Sequence, residues 1–268
     1  MASEARKYLD KVYAEIHVLK KEKVTIVFNL QDHRLYVKKV LENKLPIYQS
    51  LEKMSHPVLP QIYYVCEDEG KTYLIEEYVK GNNLAAILEK RDTLSEDAVI
   101  EIALKVTDAL IYLHERNIIH RDIKPSNIIW NKKGIVKLID FDAARITSKN
   151  KNSDTIYLGT IGYAPPEQFG FAQTDERSDI YALGITLKEL LPASYNGYLI
   201  NICNACTKID PAQRVPSAKK LKNLLERKNS TLKYIVAITF FLGTIFIFKT
   251  ACNILKFWVL NFRRRVKC

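Results

Sequence analysis

The chain has 268 residues, 47% of them hydrophobic, which is enough for a sizeable core and excludes an intrinsically disordered protein. Its formal net charge of +11 would suit a nucleic-acid partner, but nine Lys/Arg and no Asp/Glu fall between Arg227 and Cys268, leaving 32 basic against 30 acidic residues in the first 226. The basicity therefore belongs to the tail, and no nucleic-acid partner is expected.

The amino terminus, MASEARKYLDK, is charged and carries no secretory signal; together with five scattered cysteines this fits a reducing compartment. The runs EIHVL, VTIVFNL, RLYVKKV, PQIYYV and TYLIEEYV then read as β-strands separated by polar turns, the last two parted by CEDEGK. The segment LSEDAVIEIALKVTDALIYLHERN places Ala98, Val99, Ile102, Ala103, Val106, Ala109, Leu110 and Leu113 on one stripe, which predicts a long core helix with Ser95 as its N-cap. NIIWN and IVKLID predict a hairpin around Lys132 to Gly134, and SDIYALGITLKELL predicts a second apolar helix. The stretch after Leu191 is helix-poor, and its lone CxxC, Cys203 and Cys206, has neither a second pair nor a His cluster. That spacing is read as two helix residues near one face rather than a metal or redox site.

Near the carboxyl end, YIVAITFFLGTIFIF (residues 234–248) carries no charge over fifteen residues, short of the ~20 that span a bilayer. Extension past Lys249 through TACNIL reaches a spanning length if that lysine snorkels. A membrane anchor is expected over 234–255, after a linker at 227–233 and before a basic tail at 256–268, as a single pass or a hairpin. Basic residues on both sides leave its orientation open.

The chemistry concentrates in IIHRDIKPSNIIW (118–130) and VKLIDFDAAR (136–145), followed by GTIGYAPPEQ, RSDIYALG and DPAQR. As an ordered set over roughly residues 15–226, these motifs resemble the bacterial (Hanks-type) serine/threonine protein kinases. The resemblance implies an α+β, two-lobed fold within residues 1–226, with a small β-rich N-lobe at about 12–79 and a helical C-lobe at about 80–226. It also implies ATP with Mg²⁺ or Mn²⁺ as cofactors, a protein substrate (the chain itself among the candidates), and a catalytic domain on the cytoplasmic face of the cell membrane.

Residue by residue, Asp122 matches the base that orients and deprotonates the attacking hydroxyl, and Lys124 the cation that steadies the transferred group. Asn127 and Asp140 match the oxygen ligands of the metal. Lys38 is aligned with the lysine that grips the phosphates, and Glu77 and Val79 with the hinge that takes adenine, which puts Glu76 behind the nucleotide. Glu167 and Arg214 match a structural pair, and Asp179 the acid that supports the catalytic loop. His120 is read as architectural. Arg121, beside the base, resembles kinases controlled by phosphorylation of the following segment, where Thr147, Ser148, Ser153 and Thr155 are candidate acceptors and Tyr157 is a further hydroxyl.

Three departures from the family leave two functions open, an active membrane-anchored kinase and a membrane-anchored pseudokinase acting as a nucleotide-binding scaffold. The glycine-rich loop is replaced by HVLKKEKVTIV, without a glycine. The helix glutamate expected to meet the lysine is missing: its position counts to Ile47, beside the neutral Gln49 and the helix-shortening Pro46. Glu76 either supplies that carboxylate to Lys38 or is a strand residue pairing with any nearby lysine. Finally, Asp142 stands where glycine is usual, and is read as a hinge residue that leaves the metal ligand Asp140 intact.

Overall fold

The five predicted strands are all present in the computed structural model, which describes residues 4–21, 23–90, 94–147, 159–170 and 173–227. Alternating apolar residues build β1 (Tyr13–Lys20), β2 (Val24–Asn29), β3 (Leu35–Leu41), β4 (Ile62–Asp68) and β5 (Lys71–Glu77) into one antiparallel sheet of order β1-β2-β3-β5-β4. Period-two alternation gives this sheet two distinct faces. On the outer face, Val27, Tyr36, Tyr73 and Ile75 cluster with Ala5 and Leu9 of an amino-terminal helix, α1 (Glu4–Val12). That helix was not foreseen, although Ala5, Leu9 and Val12 have the spacing of a buried helical stripe. Asp68 accepts a hydrogen bond from the Ala5 N–H and so holds the start of α1 to β4 (3.0 Å).

The inner face turns toward a short helix, α2 (Ile47–Glu52), and the second lobe. Past β5 come β6 (Asn82–Asn83), α3 (Leu84–Glu89) and the long α4 (Glu96–His114). Ser95 caps α4 by accepting the Ala98 N–H (3.2 Å), and the predicted stripe from Val99 to Leu113 is buried, with Ala98 half-buried at its start. Next are β7 (Ile118–Ile119), the hairpin β8 (Ile128–Trp130) and β9 (Val136–Leu138), β10 (Arg145–Ile146), α5 (Glu176–Leu190) and α6 (Tyr198–Cys206). A last helix begins at residue 218.

The stretch read as helix-poor thus contains α6, and its two cysteines are buried packing residues. A Cβ on Gly184 of α5 would stand 2.7 Å from the Cys206 Cβ, so glycine is what lets the two helices approach. Burial pushes both thiols up to about 12, which leaves them unreactive. Among the described residues no group of three or more His, Cys, Asp or Glu could hold a metal ion, and no helix is long and apolar enough to cross a membrane. The span predicted at 234–255, with its linker from 228 and its basic tail, lies outside the described residues.

Candidate active site

The cleft between the sheet and α4 is floored by the loop from His120 to Asn127, which hangs on one buried acid. Asp179, at the start of α5, accepts the backbone N–H groups of His120 (2.9 Å) and Arg121 (2.8 Å), and the His114 ring lies 2.8 Å away. Burial opposes a charge on Asp179, but these bonds and the neighbouring histidines outweigh it and hold the carboxyl below its usual range. Arg121 takes a left-handed φ of 67°, a conformation that the bonds on both sides of it must maintain. Beneath the loop, Glu167 and Arg214 form a buried two-bonded pair, at 2.5 and 2.9 Å.

Within the loop, Asp122 is held from three sides. Asn127 donates to its Oδ2 (2.9 Å), Thr160 donates to its Oδ1 (2.6 Å), and the Lys124 ammonium lies 2.8 Å from Oδ2 while also donating to Thr160. Thr160 carried no assignment in the sequence, although it lies in the GTIGYAPPEQ motif. It ties that motif to Asp122 and Lys124. Asn127 also donates to the Asp122 backbone carbonyl, which turns its amide nitrogen away from the cleft.

The turn that holds Asp140 is brought against this loop by the hairpin, through an Ile139 N–H to Asn127 carbonyl bond of 2.9 Å. Asp140 takes a φ of 70°. Burial works against its ionisation, but Lys39, Asp142 and His120 outweigh that and hold its carboxyl below the usual range. Its Oδ1 is buried with no hydrogen-bond partner. An orphaned carboxylate oxygen, on a turn bonded to the backbone of Asn127, is a donor of the hard-oxygen kind that Mg²⁺ and Mn²⁺ take, so the residues present fit the metal.

The expected pairing of Lys38 with Glu76 requires a correction. In the β3–β5 ladder Val37 stands opposite Glu76, and Lys38 opposite Ile75. Residues two apart share a face, so Lys39, not Lys38, lies with Glu76 on the inner face. The Lys39 ammonium is 2.9 Å from Glu76, and both side chains are almost fully buried. Lys38 points to the outer face, where it meets Glu15 (2.7 Å) and Asp10 (3.7 Å). The expected Glu76–Lys38 pair is therefore absent, and Glu76 is a strand residue that pairs with the neighbouring lysine, the other of the two readings. Burial works against a charge on Lys39, but the Glu76 and Asp140 carboxylates outweigh it and hold the ammonium above its usual range, while burial pushes the Glu76 carboxyl up.

Lys39 does not take its carboxylate from helix α2, whose one acid is Glu52 at its last position. Ile47 is buried in the core and Gln49 reaches Glu67 at the surface (3.3 Å). The residue between them, Tyr48, is fully buried, and its hydroxyl donates to Asp142 Oδ1 (2.6 Å). Asp142 does more than fill a hinge position, because its side chain is tied to the helix. Desolvation, followed by the charge of Asp140, pushes it up to about 6. In the hinge, Glu77 is fixed by Lys137 (2.7 Å) and by the Gln61 N–H (3.1 Å), and Val79 is buried. Thr147 donates to the Asn117 carbonyl (3.2 Å), away from the loop, and Ser148, Ser153, Thr155 and Tyr157 lie outside the described residues.

The family described as "Protein kinase domain" matches residues 11–196, most of the chain, and the chain belongs to that family. A probable serine/threonine-protein kinase of Dictyostelium discoideum is 32% identical over 181 residues, covering 68% of this chain and 40% of that protein. Serine/threonine-protein kinase B of Synechocystis is 37% identical over 147 residues (51% of this chain, 25% of that protein). Serine/threonine-protein kinase PrkC of Bacillus subtilis is 35% identical over 144 residues (53% and 22%). The chain spans less than half the length of each of these relatives.

Proposed function

We propose that the chain is a serine/threonine protein kinase that transfers the γ-phosphoryl group of ATP to protein hydroxyls. The observation that carries this reading is the placement of Asp122, held by Asn127, Thr160 and Lys124, next to a separate cluster of Asp140, Lys39 and Glu76. The two clusters divide the work that phosphoryl transfer needs, one orienting the hydroxyl and the other the phosphates. The substrate oxygen attacks the γ-phosphorus, its proton passes to Asp122, and the bond from phosphorus to the bridging oxygen breaks to release ADP. Asn127 and Asp140 would hold Mg²⁺ or Mn²⁺, which supplies neutralisation of phosphate charge when bound. The Glu77 and Val79 backbone would take the adenine, and Lys124 would steady charge on the group in flight.

The pseudokinase alternative rested on the missing helix glutamate and the missing glycines. The first ground weakens, since Glu76 provides Lys39 with a carboxylate from within the sheet. Incubation of the full chain with labelled ATP and Mg²⁺ or Mn²⁺, followed by phosphoamino-acid analysis of itself and of a generic basic protein, tests the reading. Phosphoserine or phosphothreonine is expected. Nucleotide binding without any transfer would establish the scaffold instead.

Arg121, buried and close enough to Arg145 for the two charges to repel, supports control by a phosphate on the segment that contains Ser148, Ser153 and Thr155. The uncharged run at 234–248 supports tethering to the cell membrane, and the resemblance to kinases, rather than the basic residues that flank the run on both sides, supports a cytoplasmic kinase domain. The full chain is expected to fractionate with membranes and to resist both high salt and alkali, whereas a chain ending at Lys228 stays in the supernatant. Release of the full chain by salt alone would reduce the anchor to a basic tail held by charge.

A further inference from the structure

In this protein the lysine that faces the cleft takes its acid from β5, a strand of its own sheet, so the Lys39–Glu76 pair is complete without α2. What α2 offers the cleft is Tyr48. Its phenol oxygen accepts the Phe141 N–H (3.3 Å) and donates to the Asp142 carboxylate (2.6 Å), and so grips the two residues that follow Asp140. Asp140 itself sits at a φ of 70°, sparsely populated for a residue other than glycine, and such a conformation persists only where its surroundings hold it. On its amino-terminal side the hold is the Ile139 N–H to Asn127 carbonyl bond. On its carboxyl-terminal side it is Tyr48. Phe141 is anchored as well, its buried ring packing on His120 at 4.8 Å between centroids.

The replacement of glycine by Asp142 fits this arrangement. Asp142 keeps a negative φ, so the backbone freedom of glycine is not used here, and what the side chain adds is an acceptor for the Tyr48 hydroxyl.

We propose that Tyr48 and Asp142 are a matched pair of positioning residues, by which α2 aims the Asp140 carboxylate at the metal of the metal–nucleotide complex. This rests on the kinase reading above. Tyr48 touches neither substrate nor metal; it acts through the turn. Through this pair α2 is linked to the turn that follows Asp140 instead of to the lysine.

The test is a Mn²⁺ titration of the binding of a fluorescent ATP analogue to the full chain, with metal-free binding and the melting temperature recorded for each variant. Tyr48→Phe and Asp142→Gly are each expected to raise the half-saturating Mn²⁺ concentration about tenfold, the effect of losing one hydrogen bond to a charged group. Combined, they should do no worse than the larger single change, because the two side chains act as a unit. Asp142→Asn, which keeps an acceptor for the phenol, should fall between Asp142→Gly and the parent. Metal-free binding should stay within about threefold throughout, since a hydrogen bond remote from the nucleotide is not in play.

Additive effects of the two changes, or an unchanged Mn²⁺ requirement in Tyr48→Phe, would overturn the proposal. So would an Asp142→Asn variant as weak as Asp142→Gly, which would make Asp142 a metal ligand. Equal losses of metal-free and metal-dependent binding, with a lower melting temperature, would reduce Tyr48 to a core residue. A parent that binds nucleotide no better with metal than without would instead remove the kinase reading, and this inference with it.

Discussion

Asp122→Asn lowers the rate of phosphoryl transfer by about 10²- to 10⁴-fold, the range for loss of a placed general base. Asparagine keeps an oxygen to accept from Thr160, so the loop retains that bond, and what is lost is the group that orients and receives the proton. Nucleotide binding, which we propose rests on Lys39, Asp140 and the hinge, should change little, and the measurement is the rate of transfer at saturating ATP. A variant that labels itself as fast as the parent would remove Asp122 from its role.

The second large effect separates two adjacent lysines. Lys39→Met is expected to cost about 10²- to 10³-fold in transfer, the scale for removing one preorganised charge from developing phosphate charge. Lys38→Met should stay within about threefold of the parent, because it loses an ion pair to Glu15 and Asp10, both of which are exposed. The fold should survive Lys39→Met, since a lone buried Glu76 can take up a proton. Glu76→Gln leaves Lys39 buried with Asp140 and Asp142 still nearby and inclined to lose its proton, and loss of one partner from a buried pair costs about 3–5 kcal/mol. Transfer rates and urea midpoints of the three variants check this directly. Equal losses in Lys38→Met and Lys39→Met would contradict the strand register.

Most of the scaffold was legible in the sequence because its signals are local. The alternation of the five strands, the stripe of α4 with its Ser95 cap, and the hairpin turn all follow from periodicity and turn chemistry. The loop residues Asp122, Asn127 and Asp140 were legible through the resemblance of their motifs to those of kinases, and the structure bonds Asn127 both to Asp122 and to the residue before Asp140. What the sequence hid is register. In VKKV the two lysines lie on opposite faces, and which one enters the cleft depends on the pairing of β3 with β5, a contact across more than thirty residues. The same holds for Tyr48, whose neighbours on either side were the residues considered. On so short a helix, a shift of one position turns a side chain by about a quarter turn or more, from core to cleft. Helix α1 was overlooked for another reason, since its charged residues mask an apolar stripe that only the outer face of the sheet makes meaningful.

The claim on which the account turns is that Lys39, paired with Glu76, meets the phosphates. A crystal structure of the chain with Mg²⁺ and a non-hydrolysable ATP analogue measures this. The account predicts the Lys39 ammonium within ~3 Å of a phosphate oxygen, the usual span of such a bond, with Glu76 still beside it and Lys38 still on the outer face with Glu15. A complex in which Lys38 crosses to the phosphates, or in which Lys39 stays buried against Glu76 and touches no phosphate oxygen, would contradict it.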